Sequence, residues 1–451
     1  MPVDEPLEHV SEAFLCLPEC DREKASRHVS LAERQAGAPE PIASVMPLDV
    51  RSAVVAGGGS IGASIAYALD RAGIRATIAE TDEDEAERAY TYVARLADGA
   101  VEHGLISEEE ADECRTRIGV VAGYDNLPPA EFAIEADCED MAVKKQVFAA
   151  LEKILPPDAI LATDTSYLDI DEIAEAVSDA DRVIGLHFSS PAHIMRLLEI
   201  ARGKKSSDKA LATGFDVAKR LCKIPVLAGG CGGFIGSRLL TRYREAADTV
   251  LMDGSTPWDV DEAMVDFGFP MGPYEAQDLA GLDIAYANRK RLAPSRDPNR
   301  RYIPISDRMV EEGRLGRKAS VGWYRYPGGG GKVVDPLIED LVREEAYFAK
   351  VTRREYSHDE IRTRLVCAMI NEAAELLEEG IAASAVDIDL VTIHGHGFPR
   401  RRGGLMYYAD ILSPADVLRQ IEEFAKEDPV AWKPSPLLRR LAESGGRFCD
   451  H

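Results

Sequence analysis

The chain has 451 residues, enough for about three domains at ~150 residues each. Hydrophobic residues make up 45%, which excludes wholesale disorder, and no apolar run reaches the ~18–20 residues of a membrane span. Asp and Glu outnumber Lys and Arg by 78 to 53, a net charge of −25 that argues against a nucleic-acid partner and makes any anionic ligand depend on a local basic patch.

The N-terminus has no basic start followed by an apolar stretch, so no secretory signal and a cytoplasmic protein are expected. Eight cysteines are scattered, and only Cys16 and Cys20 are close, with no histidine at zinc-ligand spacing. Free thiols and no metal site are expected. Residues 1–50 are charged, with a weakly helical stretch SLAERQAG at 30–37. Pro39, Pro41 and Pro47 then predict an extended linker.

Ser52–Ala56 reads as a short buried strand. Gly57, Gly59 and Gly62, with Ser60 and Ile61 between them, form G-x-G-x-x-G, and Ile65, Ala66 and Leu69 continue at helical spacing. Ala76–Ala79 is a second strand ending at Glu80. Strand, glycine turn, helix, strand and acid is the order that binds a dinucleotide, with the diphosphate at the helix N-terminus. Glu80 is the expected acceptor for the adenosine ribose hydroxyls. The stretch ETDEDEAE at 80–87 would repel a 2′-phosphate, so NAD is expected over NADP. Strands at Phe132–Glu135, Ala159–Thr163 and Arg182–Phe188 alternate with helices at Ala142–Ile154 and Asp169–Val177. Asp169 with Glu172 reads as a capping box, and Ala136, just past the third strand, joins the expected cofactor contacts.

After about residue 229 long helical patterns dominate, and they are duplicated. SRLLTRYREAADTVLMDG at 237–254 matches TRLVCAMINEAAELLEEG at 363–380, and DFGFPMG at 266–272 echoes HGFPRRRGG at 396–404. Two related helical units joined by the loop PGGGGK at 327–332 are expected. The fold class is therefore an α/β Rossmann-type doubly wound sheet followed by two related all-α domains. Expected boundaries are 1–50, 51–229, 230–330 and 331–451.

Three polar residues stand near strand ends, where an open α/β sheet holds its ligand. They are Ser166, His187 and Glu199. Glu199 lies in the apolar stretch IMRLLEIA at 194–201 and needs a partner, because an unpaired buried carboxylate is costly. A neutral histidine oriented by a carboxylate is a good base near pH 7.

The segment LATDTSYLDIDEIAEAV…RVIGLHFSSPAHIMRLLEIARG resembles the signature of the L-3-hydroxyacyl-CoA dehydrogenases. GFIGSRLL, GFPMGPYEAQDLAGLD, GRKASVGWY and INEAAELLEEG…HGHGFPRRRGGLMYYA resemble the dehydrogenase half of multifunctional β-oxidation enzymes, with its duplicated C-terminal domain. The resemblance implies that His187 is the catalytic base, Glu199 the carboxylate that holds it, and Ser166 the hydroxyl that bonds the reacting oxygen. It implies that Glu139 and Lys144 contact the nicotinamide-side ribose. It implies an acyl-CoA substrate, NAD, and a monomer or homodimer. About fifty residues precede the first strand, too few for a hydratase module, so dehydrogenase chemistry alone is expected.

Four positions depart from the pattern of the family. Ser237 stands where GFIGNR has Asn, Asp164 where Asn-Thr-Ser has Asn, Asp137 where a valine is common, and Ser189 where His-Phe-Phe has its second Phe. Two extra acids near an anionic thioester point either to an unusual acyl group or a slowed reaction, or to neutral drift. Two other functions fit the same residues: oxidation of a CoA-free hydroxy acid, and a weakly active NAD-binding paralogue.

Overall fold

The computed structural model describes residues 21–230 and 233–450. Cys16, Cys20 and Cys231 lie outside them. Eight strands form one sheet: β1 (Ser52–Ala56), β2 (Arg75–Glu80), β3 (Gly119–Ala122), β4 (Phe132–Glu135), β5 (Ile160–Thr163), β6 (Val183–Phe188), β7 (Leu197–Arg202) and β8 (Ile224–Gly229). Their spatial order is β3-β2-β1-β4-β5-β6-β7-β8. Every neighbouring pair is parallel except β6–β7, which is antiparallel. The central strands are continuous apolar runs because a parallel sheet is covered on both faces; all four residues of β4 are buried, as are four of the five in β1.

Two compact units divide the chain. Ser30–Ser237 with Gly380–Ala383 make the sheet unit. Gly380–Ala383 join it because Ala382 bridges Ala228 and Gly229 N–H donates to Ile381 O at 2.8 Å. Among the described residues, Asp21–Val29, Arg238–Glu379 and Ser384–Asp450 make the helical unit. The two repeats, expected as separate domains, therefore share one compact unit. Their Gly-Phe-Pro sequences pack together: Phe267 and Phe269 lie edge-on to Phe398 at 5.7 and 5.6 Å, and Phe267 reaches Tyr408 at 5.4 Å.

The duplication recurs as buried hydrogen bonding. In the first repeat, Asp261 on the helix Pro257–Phe267 accepts from Tyr274 N–H at 2.8 Å and Glu275 N–H at 2.9 Å. In the second, Asp389 on Ala385–His396 accepts from Met406 N–H at 2.7 Å and Tyr407 N–H at 3.3 Å. Each aspartate thus fills donors at the start of the following helix, Pro273–Ala280 or Leu405–Leu412. A glycine permits each approach: a Cβ on Gly272 would lie 2.2 Å from Asp261, and one on Gly404 2.4 Å from Asp389. Further on, Asp278 accepts from Trp323 and Tyr324 N–H at 2.8 and 2.9 Å, and Asp410 from Phe448 and Cys449 N–H at 2.7 and 3.0 Å.

One expected cap differs. The helix after β5 is only Ile170–Ala174, and Asp169 accepts from Asp171 N–H at 2.9 Å. Glu172 does not close a capping box; Lys145 holds it at 3.1 Å.

Asp261 also accepts from Tyr324 Oη–H at 2.8 Å, so Asp261→Ala leaves three buried donors unpaired. At ~1–3 kcal/mol each, the variant should lose at least about 3 kcal/mol in urea unfolding. Burial pushes the Asp261 carboxyl up to about 7. The folded chain then holds that proton where an unfolded aspartate, near ~3.9, has released it. Asp261 thus costs stability as pH rises from about 4 to 7. Asp261→Asn has no such proton, so its deficit relative to the parent should shrink between pH 4.5 and pH 8.

Candidate active site

The turn between β1 and the helix Ser60–Arg71 is shaped by three glycines. Gly57 has φ +93°, which a side chain disfavours. A Cβ on Gly62 would sit 1.9 Å from Gly57 O, so only glycine lets the helix pack on the turn. A Cβ on Gly58 would lie 2.4 Å from the Ala89 Cβ. Gly58 is an x-position of the motif, and its need for glycine comes from packing against a distant helix. A Cβ on Gly59 would meet nothing within 4 Å, so the turn is open on that side. No side chain caps the helix, leaving its first N–H groups to an anion.

Glu80 ends β2 and its Oε1 accepts from Gly58 N–H at 2.5 Å. Partial burial raises its pKa against the pull of the Gly58 and Thr81 N–H groups. Of the acids that follow, Asp82, Glu83 and Asp84 are exposed and Glu85 is half-buried; Asp82 caps the helix Glu83–Glu102, with the other three in its first turn. Glycine cradle, free helix N-terminus and terminal acid together fit an adenine dinucleotide whose ribose hydroxyls Glu80 would hold.

In the same unit a relay runs across three strand ends. His187 and Glu199 face each other in the antiparallel β6–β7 register. Glu199 Oε2 lies 2.9 Å from His187 Nδ1, and its Oε1 accepts from Gly236 N–H at 3.0 Å. The Glu199 side chain is 1% exposed and that of His187 17%. Ser166 Oγ lies 3.2 Å from His187 Nε2. With Nδ1–H donating to Glu199, neutral His187 presents a bare Nε2 that accepts from Ser166. Burial alone would lower the His187 pKa, but the hydrogen bond and charge of Glu199, with the charges of Asp164 and Glu139, outweigh it and the net shift is upward.

Glu139 and Lys144 take structural positions. Glu139 Oε1 accepts from Thr165 Oγ1 at 2.7 Å, Ser166 N–H at 3.0 Å and Tyr167 N–H at 2.8 Å, so it staples the loop that carries Ser166. The Lys144 side chain has no exposed surface. Its ammonium is held by Glu135 at 2.8 and 2.9 Å, and Glu135 also accepts from Thr163 Oγ1 at 2.7 Å. Glu135, the last residue of an apolar strand, went unnoticed in the sequence; a lone acid closing such a run was the available signal. Ala136, just past β4, is buried, and its N–H donates to Ala56 O at 2.8 Å. Ser237 is buried in the first turn of the helix Ile235–Asp253, next to the Gly236 that bonds Glu199. Asp164 Oδ1 accepts from Phe188 N–H at 2.8 Å, and Asp137 Oδ1 from Cys138 N–H at 2.7 Å.

Family models match the chain in three places. The model described as 3-hydroxyacyl-CoA dehydrogenase, NAD binding domain, covers residues 52–231, and that of the C-terminal domain matches twice, over 233–326 and 361–447. The chain belongs to the 3-hydroxyacyl-CoA dehydrogenase family. Members are NAD-dependent oxidoreductases, and NAD is the cofactor of the sheet unit. The chain is 37% identical to the peroxisomal bifunctional enzyme of Cavia porcellus over 96% of its own length and 62% of the relative's. It is 31% identical to a peroxisomal fatty acid beta-oxidation multifunctional protein of Oryza sativa, over 93% of this chain and 59% of that one. It thus spans about three fifths of these relatives. Among solved structures, 3-hydroxybutyryl-CoA dehydrogenase from Escherichia coli aligns with TM-score 0.75 and 25% identity over 88% of this chain and all of that one. The dehydrogenase part of multifunctional enzyme 1 from C. elegans aligns at 0.65 and 26%, over 92% and 96%. The relatives' names place them in peroxisomes, whereas the sequence led us to expect the cytoplasm. Among the described residues no helix is long and apolar enough to cross a membrane.

Glu80→Ala tests the acceptor expected for the ribose hydroxyls, where a hydrogen bond to a charged group is worth ~1.5–3 kcal/mol. Titration calorimetry should show NAD binding weakened by that amount and the preference for NAD over NADP reduced.

Proposed function

We propose that the chain interconverts a (S)-3-hydroxyacyl-CoA and its 3-oxoacyl-CoA, with His187 as the proton-transferring group. The observation that carries this reading is the Ser166–His187–Glu199 relay, with contacts of 3.2 and 2.9 Å, in the unit that also holds the dinucleotide turn. Bound NAD supplies the hydride acceptor for C3. His187 Nε2 takes the proton of the C3 hydroxyl, and Ser166 Oγ–H holds the same oxygen in line. Glu199 keeps Nδ1 protonated, fixing the tautomer, and stabilises the imidazolium once the proton has arrived. Gly236 N–H keeps Glu199 from turning away. Oxidation needs neutral His187, so oxidative turnover should rise with pH through a midpoint above the ordinary ~6.5, and reductive turnover should fall there. The proposal covers this dehydrogenase step alone.

His187→Gln should bind NADH nearly as the parent does while losing ~10²–10⁴ in kcat, the usual contribution of a positioned base. Glu199→Gln should lose less, because the base remains. Near-normal kcat for His187→Gln on acetoacetyl-CoA, followed by NADH absorbance, would sink the mechanism.

Ser237 tests the quality of the site. A serine hydroxyl sits closer to the backbone than an asparagine amide, and losing a donor aimed at developing charge typically costs ~10²–10³ in kcat. Ser237→Asn should raise kcat on acetoacetyl-CoA with little change in KM. A raised KM without a gain in kcat would instead mean that Ser237 makes room for a bulkier acyl group.

A further inference from the structure

Asp164 follows β5 directly. Its N–H donates to Glu135 O at 2.7 Å, extending the β4–β5 ladder by one residue. Its Oδ1 accepts from the N–H of Phe188 at 2.8 Å, so the carboxylate ties the end of β5 to the residue after His187. A neutral amide oxygen could accept that bond too, though less strongly. What a carboxylate adds is charge, and Asp164 is half-buried, so that charge gains from a counter-charge that faces it.

The charge of Lys144 favours the ionised acid, but Glu135 already holds that ammonium with both oxygens at 2.8 and 2.9 Å. The imidazole of His187 stands one residue from the Phe188 N–H that Asp164 holds. The surroundings of that ring are strongly acidic. Glu199 on β7 touches Nδ1 at 2.9 Å. Glu139, ahead of the helix Met141–Ile154, bonds Ser166 N–H at 3.0 Å, and the Ser166 hydroxyl faces Nε2. Asp164 approaches from β5. From the segment that opens the helix Ile235–Asp253, the Phe234 ring lies 5.8 Å from the imidazole and the Gly236 N–H bonds Glu199.

We propose that Asp164 is a positioning residue that holds His187 in its protonated form near neutral pH, setting this site to deliver a proton to a 3-oxo group. The inference rests on the acyl-CoA reading given above. In the reductive step, C3 of the 3-oxoacyl thioester takes a hydride, with its electron pair, from the reduced cofactor. The C3 oxygen takes the proton from His187 Nε2. The carbonyl π bond and the Nε2–H bond break, a C3–H and an O–H bond form, C3 is reduced and the nicotinamide oxidised, and the neutral imidazole regains its proton from solvent. Burial lifts the Asp164 carboxyl to about 6, and the charge of His187 pulls against that rise, so the ionised acid and the imidazolium support one another.

The test uses Asp164→Asn, which keeps the bond to Phe188 and removes the charge, and Asp164→Glu, which keeps the charge. The full chain, labelled with [13C]histidine and free of cofactor, is titrated by NMR, and the His187 signal among the nine histidines is identified by its loss in His187→Gln. The His187 midpoint should move to lower pH in Asp164→Asn and stay near the parent's in Asp164→Glu. In steady-state kinetics with acetoacetyl-CoA and NADH, the fall of reductive kcat with pH should move down with it in Asp164→Asn. In the reverse assay oxidative kcat should begin to rise at lower pH. An unmoved midpoint in Asp164→Asn overturns the proposal whatever the kinetics. An equal drop in both variants also overturns it, since shape and not charge would then be the cause. A midpoint that moves as expected, in a protein that turns over no acyl-CoA, upholds the hold of Asp164 on His187 and discards the substrate reading.

Discussion

The site depends on the solvation of one carboxylate. Glu199 has almost no contact with solvent, and an ion there must find its partners within the protein. It finds two, and they come from different segments: the His187 imidazole on β6 and the Gly236 N–H at the start of a helix. This works because β6 and β7 are the one antiparallel pair in an otherwise parallel sheet. Residues directly opposite in such a pair have Cβ atoms only ~4.5–5.5 Å apart, so His187 and Glu199 meet with no movement of the backbone. Any shift of register would strand the charge.

A second carboxylate arranges the other side of the imidazole. Ser166 lies in a loop, where a hydroxyl would ordinarily wander, yet Glu139 receives three hydrogen bonds from consecutive residues of that loop. Thr165 adds a turn of its own by accepting from Leu168 N–H at 2.9 Å. Beneath them the buried Glu135–Lys144 pair fixes where β4 ends and the next helix begins. Such a pair adds little net stability, but breaking it is costly, so it pins geometry more than it strengthens the fold.

Much of this was legible in the sequence, for physical reasons. The strands β1, β4 and β5 stand out because a doubly covered parallel strand is a short unbroken apolar run. Ser166, His187 and Glu199 stand out because each is a polar residue at or near the end of such a run. The helices Glu83–Glu102 and Glu108–Arg117 and the strand Gly119–Ala122 were not drawn from it, since their acidic faces and a four-residue edge strand carry weak periodicity. The work of Gly58, Glu139 and Asp261 was hidden for another reason. Each acts on a partner 13 to 31 positions away, and pattern reading sees only spacings of two to four.

The paired aspartates of the helical unit have diverged. Asp261 takes the Tyr324 hydroxyl as its further donor, whereas Asp389 takes His28, whose ring also stacks on Tyr407 at 4.6 Å. Two copies of a structural unit on one chain meet at an effective concentration of order millimolar, so dilution does not part them. They are also released from a rule that binds symmetric assemblies. In a homodimer every substitution is made twice, and a change that helps one half must be tolerated by the other. Here a mutation strikes one copy alone. One repeat could recruit a histidine from the start of the chain while its twin kept an internal tyrosine, a form of specialisation closed to any protein that builds the same contact from identical subunits.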